Sequence, residues 1–220
     1  MKRLIDTFKK IFTPQRSILL SAFINTAYAV FNFFTGWKNN SPWFMSVGGY
    51  YLLLCLIRFF LLTVTESANK KDTDKRIIFE LKIYRTVGVI MFLVNMAMSV
   101  MAVQMIWQNG GTVHSDIMTI AMATFTFYYL TIAIVNLQKY RKTTQPINSA
   151  AKMLNFACAL MSIFTLQSAM ISAFGNDEVF RRNMNIATGC GVFILVFGLA
   201  IYMIRRGNKL LKEIKDNGKQ

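Results

Sequence analysis

Uncharged polar side chains recur at helical spacing inside long apolar stretches of this sequence. Asn25 and Asn32 are seven residues apart, or two helical turns, so they share one face of a helix. The same spacing separates Tyr51 from Arg58. Such side chains suit a polar path for a solute, and they equally suit hydrogen bonds that hold membrane helices together. The candidate solute-path residues are Arg58, Tyr51, Asn25, Asn32, Asn95, Tyr129, Asn136, Asn155 and Ser162.

Arg58 is the sharpest of these residues because it carries a full charge within an apolar run. It lies about 6 Å along the axis from the middle of the second predicted helix. A charge at that depth costs at least about 2.5 kcal/mol unless it finds water or a partner. Its side chain could extend to the inner headgroups, or it could contact an anion or a carbonyl group inside the bundle.

Acidic side chains are absent from the deep apolar stretches, and all ten lie in loops, tails or helix ends. Proton-coupled and divalent-metal transport usually requires carboxylates within the membrane, so the sequence disfavours both. Cys55, Cys158 and Cys190 lie in apolar runs without metal-ligand spacing, and we expect no metal and no cofactor. No nucleophile with a base and no paired acids occur in these runs, which disfavours an enzyme.

The elements that carry these residues are predicted to be membrane-spanning helices. The chain is 54% hydrophobic, and its charges gather in blocks that leave nearly charge-free runs of about 20 residues between them. We therefore predict an all-α polytopic bundle with one membrane domain at 17–204. Its six transmembrane helices are expected at 17–36, 43–64, 86–107, 117–137, 153–174 and 186–204.

Basic residues predict the orientation of this bundle. Of the 25 Lys and Arg, 21 lie in segments 1–16, 65–85, 138–152 and 205–220, which alternate with poorly charged loops. The positive-inside rule then places both termini in the cytoplasm. This basic face favours anionic lipid headgroups as the partner and disfavours nucleic acid. We expect a multi-pass protein of the cell membrane, the plasma membrane of a bacterium.

The segments that flank the spans are predicted to lie on the inner surface. Apolar residues in 1–16 recur at helical spacing up to Pro14, which indicates a short amphipathic interfacial helix, with a flexible basic tail as the alternative. Lys75 to Arg85 could extend the third helix. A separate short surface helix is expected in the basic cytoplasmic tail 205–220. Gly191 and Gly198 predict a smooth packing face on the sixth helix, through which a homodimer is possible.

The layout of the chain resembles the membrane domain of the cation diffusion facilitators. The stretch from Asn32 to Trp43 leads through Gly36 and Ser41 into the second helix, as that family's first hairpin does. Similar stretches lead into the fifth helix and out of the sixth, at Asn136, Tyr140, Asn148, Ser149, Ala151 and the segment 205–211. The resemblance implies six helices with both termini inside and a cation-efflux-like bundle.

The residues of that family's metal site are replaced in this chain. The family binds zinc or related ions through Asp and His at i, i+4 spacing on its second and fifth helices. The corresponding positions fall near Val47 and Tyr51, and near Cys158 and Ser162. None of these is a carboxylate or a histidine, and we expect neither the family's Gly/His-rich inner loop nor its cytoplasmic domain.

Two functional hypotheses follow from the sequence. The first is a small transporter-like protein with a polar interior. The second is a membrane scaffold, sensor or immunity-type protein that does not transport and acts through its basic cytoplasmic face.

Overall fold

The structure, a computed structural model, describes residues 14–69, 73–107, 116–139, 146–174 and 177–217. Of these residues 98% are helical and none lies in a strand. The helices are α1 (Pro14–Lys38), α2 (Pro42–Asn69), α3 (Thr73–Trp107), α4 (Asp116–Lys139), α5 (Pro146–Phe174) and α6 (Glu178–Asn217). The all-α prediction is thus confirmed.

Local sequence explains where several helices begin. All three prolines of the chain open a helix, at Pro14, Pro42 and Pro146. Proline is favoured there because the first turn has no hydrogen-bond acceptor for its missing N–H. Asp177 caps α6, since its Oδ1 accepts a hydrogen bond from the Val179 N–H at 3.0 Å. Between α1 and α2, Asn40 adopts the left-handed conformation (φ 48°) that commonly ends a helix.

The helices form antiparallel pairs around a central helix. α1 packs along α2, α3 along α6 and α4 along α5, and α5 also contacts each of the remaining helices. In the apolar stretch of α5 72% of the residues are buried, against 33% in those of α3 and α6. The core of the molecule therefore follows α5, and polar residues on α5 lie deep within it.

Glycines allow close backbone approach in two of these pairs. A Cβ at Gly48 of α2 would lie 2.9 Å from the Phe33 nitrogen of α1, and one at Gly88 of α3 would lie 3.0 Å from the Met203 Cβ of α6. Gly191 and Gly198 have no such neighbour, so their predicted role as a packing face within the bundle is wrong. A homodimer through that face stays a prediction.

The outer surface of the bundle is apolar. Large side chains more than half exposed include Phe23, Leu56, Val100, Phe127 and Ile194. Four helices are long and apolar enough to cross a membrane over the residues described, at Pro42–Ala68, Lys75–Trp107, Pro146–Ser172 and Glu178–Asp216. These are the features of a membrane-embedded protein, because only lipid solvates such a surface well.

Fewer than the six predicted spans can be recognised among the described residues. In α1 side chains are described only from Ala22 onward, and in α4 the apolar stretch Met122–Val135 is shorter than the roughly 20 residues that a span needs. Over the described residues the number of helices that could span a membrane is therefore four, and the prediction of six spans stays a prediction.

Two predictions for the flanking segments can be compared with the structure, and one cannot. The extension of the third helix through Lys75 is present, since α3 begins at Thr73. A separate surface helix after residue 204 is wrong, because α6 continues unbroken to Asn217. No proline interrupts this segment. Gly207 packs closely against Arg85, since a Cβ added at Gly207 would lie 3.1 Å from the Arg85 Cβ. The predicted amphipathic helix before Pro14 lies outside the described residues.

Candidate functional site

A polar cluster occupies the interior where α1, α2, α4 and α5 meet. We define it as Asn25, Tyr51, Arg58, Tyr129, Asn155 and Cys158. Each of its side chains is at most 5% exposed, and Arg58 is fully buried. The guanidinium of Arg58 therefore does not extend to the headgroups but makes its contacts inside the bundle.

Helical spacing places these residues on inward faces. Tyr51, Cys55 and Arg58 lie four and three residues apart on α2, so they form one stripe. Asn155 and Cys158 lie three apart on the central helix α5. Because α2 and α5 pack together, the two stripes face each other, and the Tyr51 hydroxyl donates a hydrogen bond to the Cys158 carbonyl oxygen at 2.8 Å.

Tyr129 is the centre of the hydrogen bonding in the polar cluster. Its hydroxyl oxygen accepts from Asn25 Nδ2 at 3.0 Å and from an Arg58 guanidinium nitrogen at 3.2 Å. The same hydroxyl donates to Asn155 Oδ1 at 3.4 Å. A phenol oxygen has two lone pairs and one hydrogen, so these three bonds satisfy it completely. One side chain thereby joins α1, α2 and α5 to α4.

Two thiols lie beside this centre. Arg58 donates to Cys158 Sγ at 3.3 Å, and Cys55 Sγ lies 2.9 Å from Thr26 Oγ1. Both cysteines are buried and free of disulfides, whereas Cys190 is exposed. The thiols add weak donors and acceptors to the amide, phenol and guanidinium groups.

An aromatic layer separates the polar cluster from a side opening of the bundle. The rings of Tyr28 and Phe125 stack with centroids 4.2 Å apart, and Phe125 in turn stacks on Tyr129 at 5.8 Å. Tyr28 also meets Tyr51 edge-on at 4.8 Å. A cavity of about 380 Å³ lies elsewhere, between α3 and α6, but one of about 230 Å³ lies between α1 and α4 against Tyr28 and Phe125.

The structure brings five of the nine candidate residues together, and they are Asn25, Tyr51, Arg58, Tyr129 and Asn155. Ser162 is buried next to this group, where its hydroxyl bonds the Ala159 carbonyl and its own carbonyl accepts from Thr126 at 3.5 Å. Asn32 bonds the Tyr28 carbonyl in its own helix at 2.7 Å.

The remaining two candidate residues are Asn95 and Asn136. Asn95 donates to the Phe193 carbonyl at 3.3 Å, so it links α3 to α6 instead. Asn136 lies in α4, but its side chain is outside the described part of the structure. The interhelical hydrogen-bonding alternative thus describes Asn95.

Some contributors were missed among the sequence-based candidates. Cys158 lies on the same stripe as Asn155, but a cysteine in an apolar run is usually a small buried residue. Thr26 and Thr126 also bond across helices. Thr126 lies one turn before Tyr129, and this spacing was the available signal, although threonines in membrane helices commonly bond their own backbone.

The polar cluster combines one positive charge with neutral donors and acceptors. None of its six residues is an acidic residue or a histidine. Among the described residues no group of three or more His, Cys, Asp or Glu side chains lies close enough to hold a metal ion. This arrangement offers hydrogen bonds and electrostatic attraction to an anion or a carbonyl oxygen.

No known protein-family model matches the chain, and no curated protein is significantly similar to it. Two of the positions compared with the metal site of cation diffusion facilitators meet, because the Tyr51 hydroxyl bonds the Cys158 backbone carbonyl, and their side chains are a phenol and a thiol. The resemblance to that family stays a sequence-based prediction.

Proposed function

We propose that this protein is a transporter-like membrane protein with six spans and both termini in the cytoplasm, and that its polar cluster receives the solute. The solute class is a small anion or a molecule that bears a carboxylate. The burial of Arg58 beside the fully bonded hydroxyl of Tyr129 is the observation that carries this proposal.

The free-energy cost of burying the Arg58 guanidinium supports a functional role for this residue. Burying a guanidinium within a membrane bundle is expensive, and such residues commonly mark solute or ion pathways. Neutral hydrogen bonds between helices would hold the bundle together without a charge, at roughly 0.6 kcal/mol each. Arg58 therefore exceeds what packing alone requires.

The positive charge of Arg58 supports an anionic or carboxylate-bearing solute. The positive potential of Arg58 disfavours a free metal cation at the same place, since no acid lies in the predicted spans. A guanidinium instead pairs with carboxylate or other oxyanions in a planar, two-pronged geometry. The amides of Asn25 and Asn155 and the hydroxyl of Tyr51 supply additional polar contacts around it.

The aromatic layer supplies a gate for this function. In the structure the polar cluster is buried, as in an occluded state of a transporter. Separation of the stacked Tyr28 and Phe125 rings would join the polar cluster to the cavity between α1 and α4. Moving two side chains is a smaller change than moving a helix, so this is the opening that we favour.

Flux into proteoliposomes tests the proposal. Purified protein is reconstituted, and the uptake of inorganic anions, small carboxylates, neutral organic solutes and divalent metals is compared with empty vesicles. We expect uptake of at least one anion or carboxylate. Arg58→Gln should reduce it at least about ten-fold, since one lost charge-assisted contact is worth about 1.4 kcal/mol or more.

Controls separate this result from misfolding. Arg205→Gln changes an exposed arginine near the end of α6 and should leave uptake unchanged. Arg58→Lys retains the charge and should retain part of the uptake. Equal uptake by the wild type and Arg58→Gln, with both proteins folded, would contradict the role of Arg58. Absence of uptake for every solute class would contradict transport itself.

A second candidate function is favoured by the extension of α3 and α6. Residues 205–217 of α6 continue about 20 Å beyond the predicted span. They pack on the start of α3, where an Arg85 guanidinium nitrogen donates to Asn208 Oδ1 at 3.2 Å. This two-helix extension carries Arg205, Arg206, Lys209, Lys212 and Lys215, which would attract an acidic protein partner.

Crosslinking in native membranes distinguishes the two functions. A scaffold should yield a specific protein partner that is lost when Lys209, Lys212 and Lys215 are replaced by glutamine. A transporter should show anion uptake that these replacements leave unchanged. Recovery of lipid alone, with no protein partner, would count against the scaffold.

A further inference from the structure

An apolar groove lies between α3 and α6, separate from the polar cluster. Its cavity is about 380 Å³, within the size range of small-molecule sites. The side chains that define it are Ala102, Ile106, Trp107, Cys190, Phe193 and Phe197.

Glycines explain why the groove lies at one end of this helix pair. Towards the C-terminal end of α6, Gly88 and Gly207 let α3 and α6 approach closely. Towards Trp107, Gly189 is covered by the Phe164 ring of α5, which would lie 3.3 Å from a Cβ at that position. Gly189 and Phe193 line the groove and rest on Phe164 from its inner side, and the groove remains open on the outer side, where Val103 and Ile194 are exposed.

The side chain of Arg182 covers the end of the groove at Trp107. The Arg182 guanidinium stacks on the Trp107 ring, 4.6 Å from its centroid, and Trp107 is 70% exposed. The neighbouring Arg181 pairs with Glu178 at 3.8 Å, whereas Arg182 forms no ion pair with any residue that the structure describes. Indole rings prefer the depth of lipid headgroups, so we expect Arg182 at the level of the lipid phosphates.

We propose that this groove binds one anionic phospholipid, with an acyl chain along Phe193 and Phe197 and the phosphate against Arg182. A charged head above an almost entirely apolar channel matches the chemistry of that occupant. Each basic residue near a membrane surface contributes attraction to anionic lipid. The proposal requires a membrane-embedded protein but does not depend on transport.

Native mass spectrometry of the purified full chain tests this site. The protein is equilibrated with equal amounts of phosphatidylglycerol and phosphatidylcholine of identical acyl chains, and the retained lipids are counted. We expect one retained phosphatidylglycerol per chain. Arg182→Gln should lower its preference over phosphatidylcholine about ten-fold, as expected for loss of one charge-assisted contact. Ala102→Phe fills the channel and should abolish retention of either lipid.

The control is the neighbouring arginine at the same end of α6. Arg181 pairs with Glu178 at 3.8 Å, and Arg181→Gln should leave the preference unchanged. Equal retention of the two lipids by the wild type, or an unchanged preference in Arg182→Gln, would overturn the proposal.

A second measurement covers the case in which Ala102→Phe does not fold. In a Trp37→Phe, Trp43→Phe background, lipids brominated on the acyl chain should quench Trp107, and brominated phosphatidylglycerol should quench it at lower mole fraction than brominated phosphatidylcholine. Identical curves for the two lipids would show ordinary bilayer contact and would overturn the proposal.

Discussion

At the scale of single residues, the hydroxyl of Tyr129 holds the polar cluster together. It accepts from Asn25 and Arg58 and donates to Asn155, and it is 2% exposed. These bonds orient both amides, because Asn25 must present its nitrogen and Asn155 its oxygen. The charge of Arg58 is in this way held in one geometry rather than left to several.

Removal of this hydroxyl should destabilise the protein. Tyr129→Phe leaves partners on three helices without the oxygen that they bond, and we expect a loss of about 1–3 kcal/mol in the free energy of unfolding. Thermal unfolding of the protein in detergent measures the change. The matched control is Tyr128→Phe, whose ring is 55% exposed and should change stability by less than about 0.5 kcal/mol. Equal effects of the two substitutions would contradict the central role of Tyr129.

At the scale of helices, glycine positions decide which pairs approach closely. Gly88 faces Met203 and the Ala200 carbonyl across the α3–α6 contact, whereas Gly198 on α6 has nothing within 4 Å. The spacing of Gly191 and Gly198 predicted the opposite. A glycine permits close approach but does not specify its partner, so only the packed structure separates the two kinds of position.

A pair of substitutions should reproduce this difference. Gly88→Leu forces the α3 and α6 backbones apart, and we expect a loss of about 1–3 kcal/mol in stability from overpacking. Gly198→Leu points to open space and should be neutral or slightly stabilising, since leucine is the better helix former. Melting temperatures in the same detergent give the comparison. A smaller loss for Gly88→Leu than for Gly198→Leu would show that the close contact is absent.

The positions of the helices could be predicted from the sequence because apolar runs and charge blocks report directly on the membrane. Their lengths could not, since α6 continues through Arg205 to Asn217 as an amphipathic helix that carries no apolar run. The inward faces of Tyr51, Arg58 and Tyr129 followed from spacing. Which stripes meet did not, because spacing assigns a face without assigning a neighbour, and Asn95 bonds α6 rather than the polar cluster.

At the scale of the whole molecule, polarity is arranged in the reverse of a soluble protein. Phe23, Leu56 and Ile194 are largely exposed, whereas Asn25, Arg58 and Asn155 are buried. Lipid solvates the apolar exterior, and the helices must satisfy the polar groups among themselves. Among the described residues, the basic side chains of 205–217 lie on the α3–α6 extension, beside the start of α3.

This arrangement predicts the orientation of the chain. A fluorescent protein fused after Gln220 should fold and fluoresce in the cytoplasm, and alkaline phosphatase inserted at Asn40 should be active outside it. The reason is the excess of Lys and Arg in alternate segments. Active phosphatase fused at the C-terminus, with an inactive insertion at Asn40, would reverse the topology.

We propose that the polar cluster opens to water for an anionic solute, and the thiol of Cys158 reports on this opening directly. Cys158 is fully buried beside Arg58. In a Cys55→Ala, Cys190→Ser background, sealed vesicles are treated with a small sulfonate-bearing thiosulfonate reagent, and modification is followed by mass spectrometry. We predict modification of the folded protein within minutes, and a slower reaction when Arg58→Gln is added. Cys158 that stays unmodified until the protein is denatured would contradict the account.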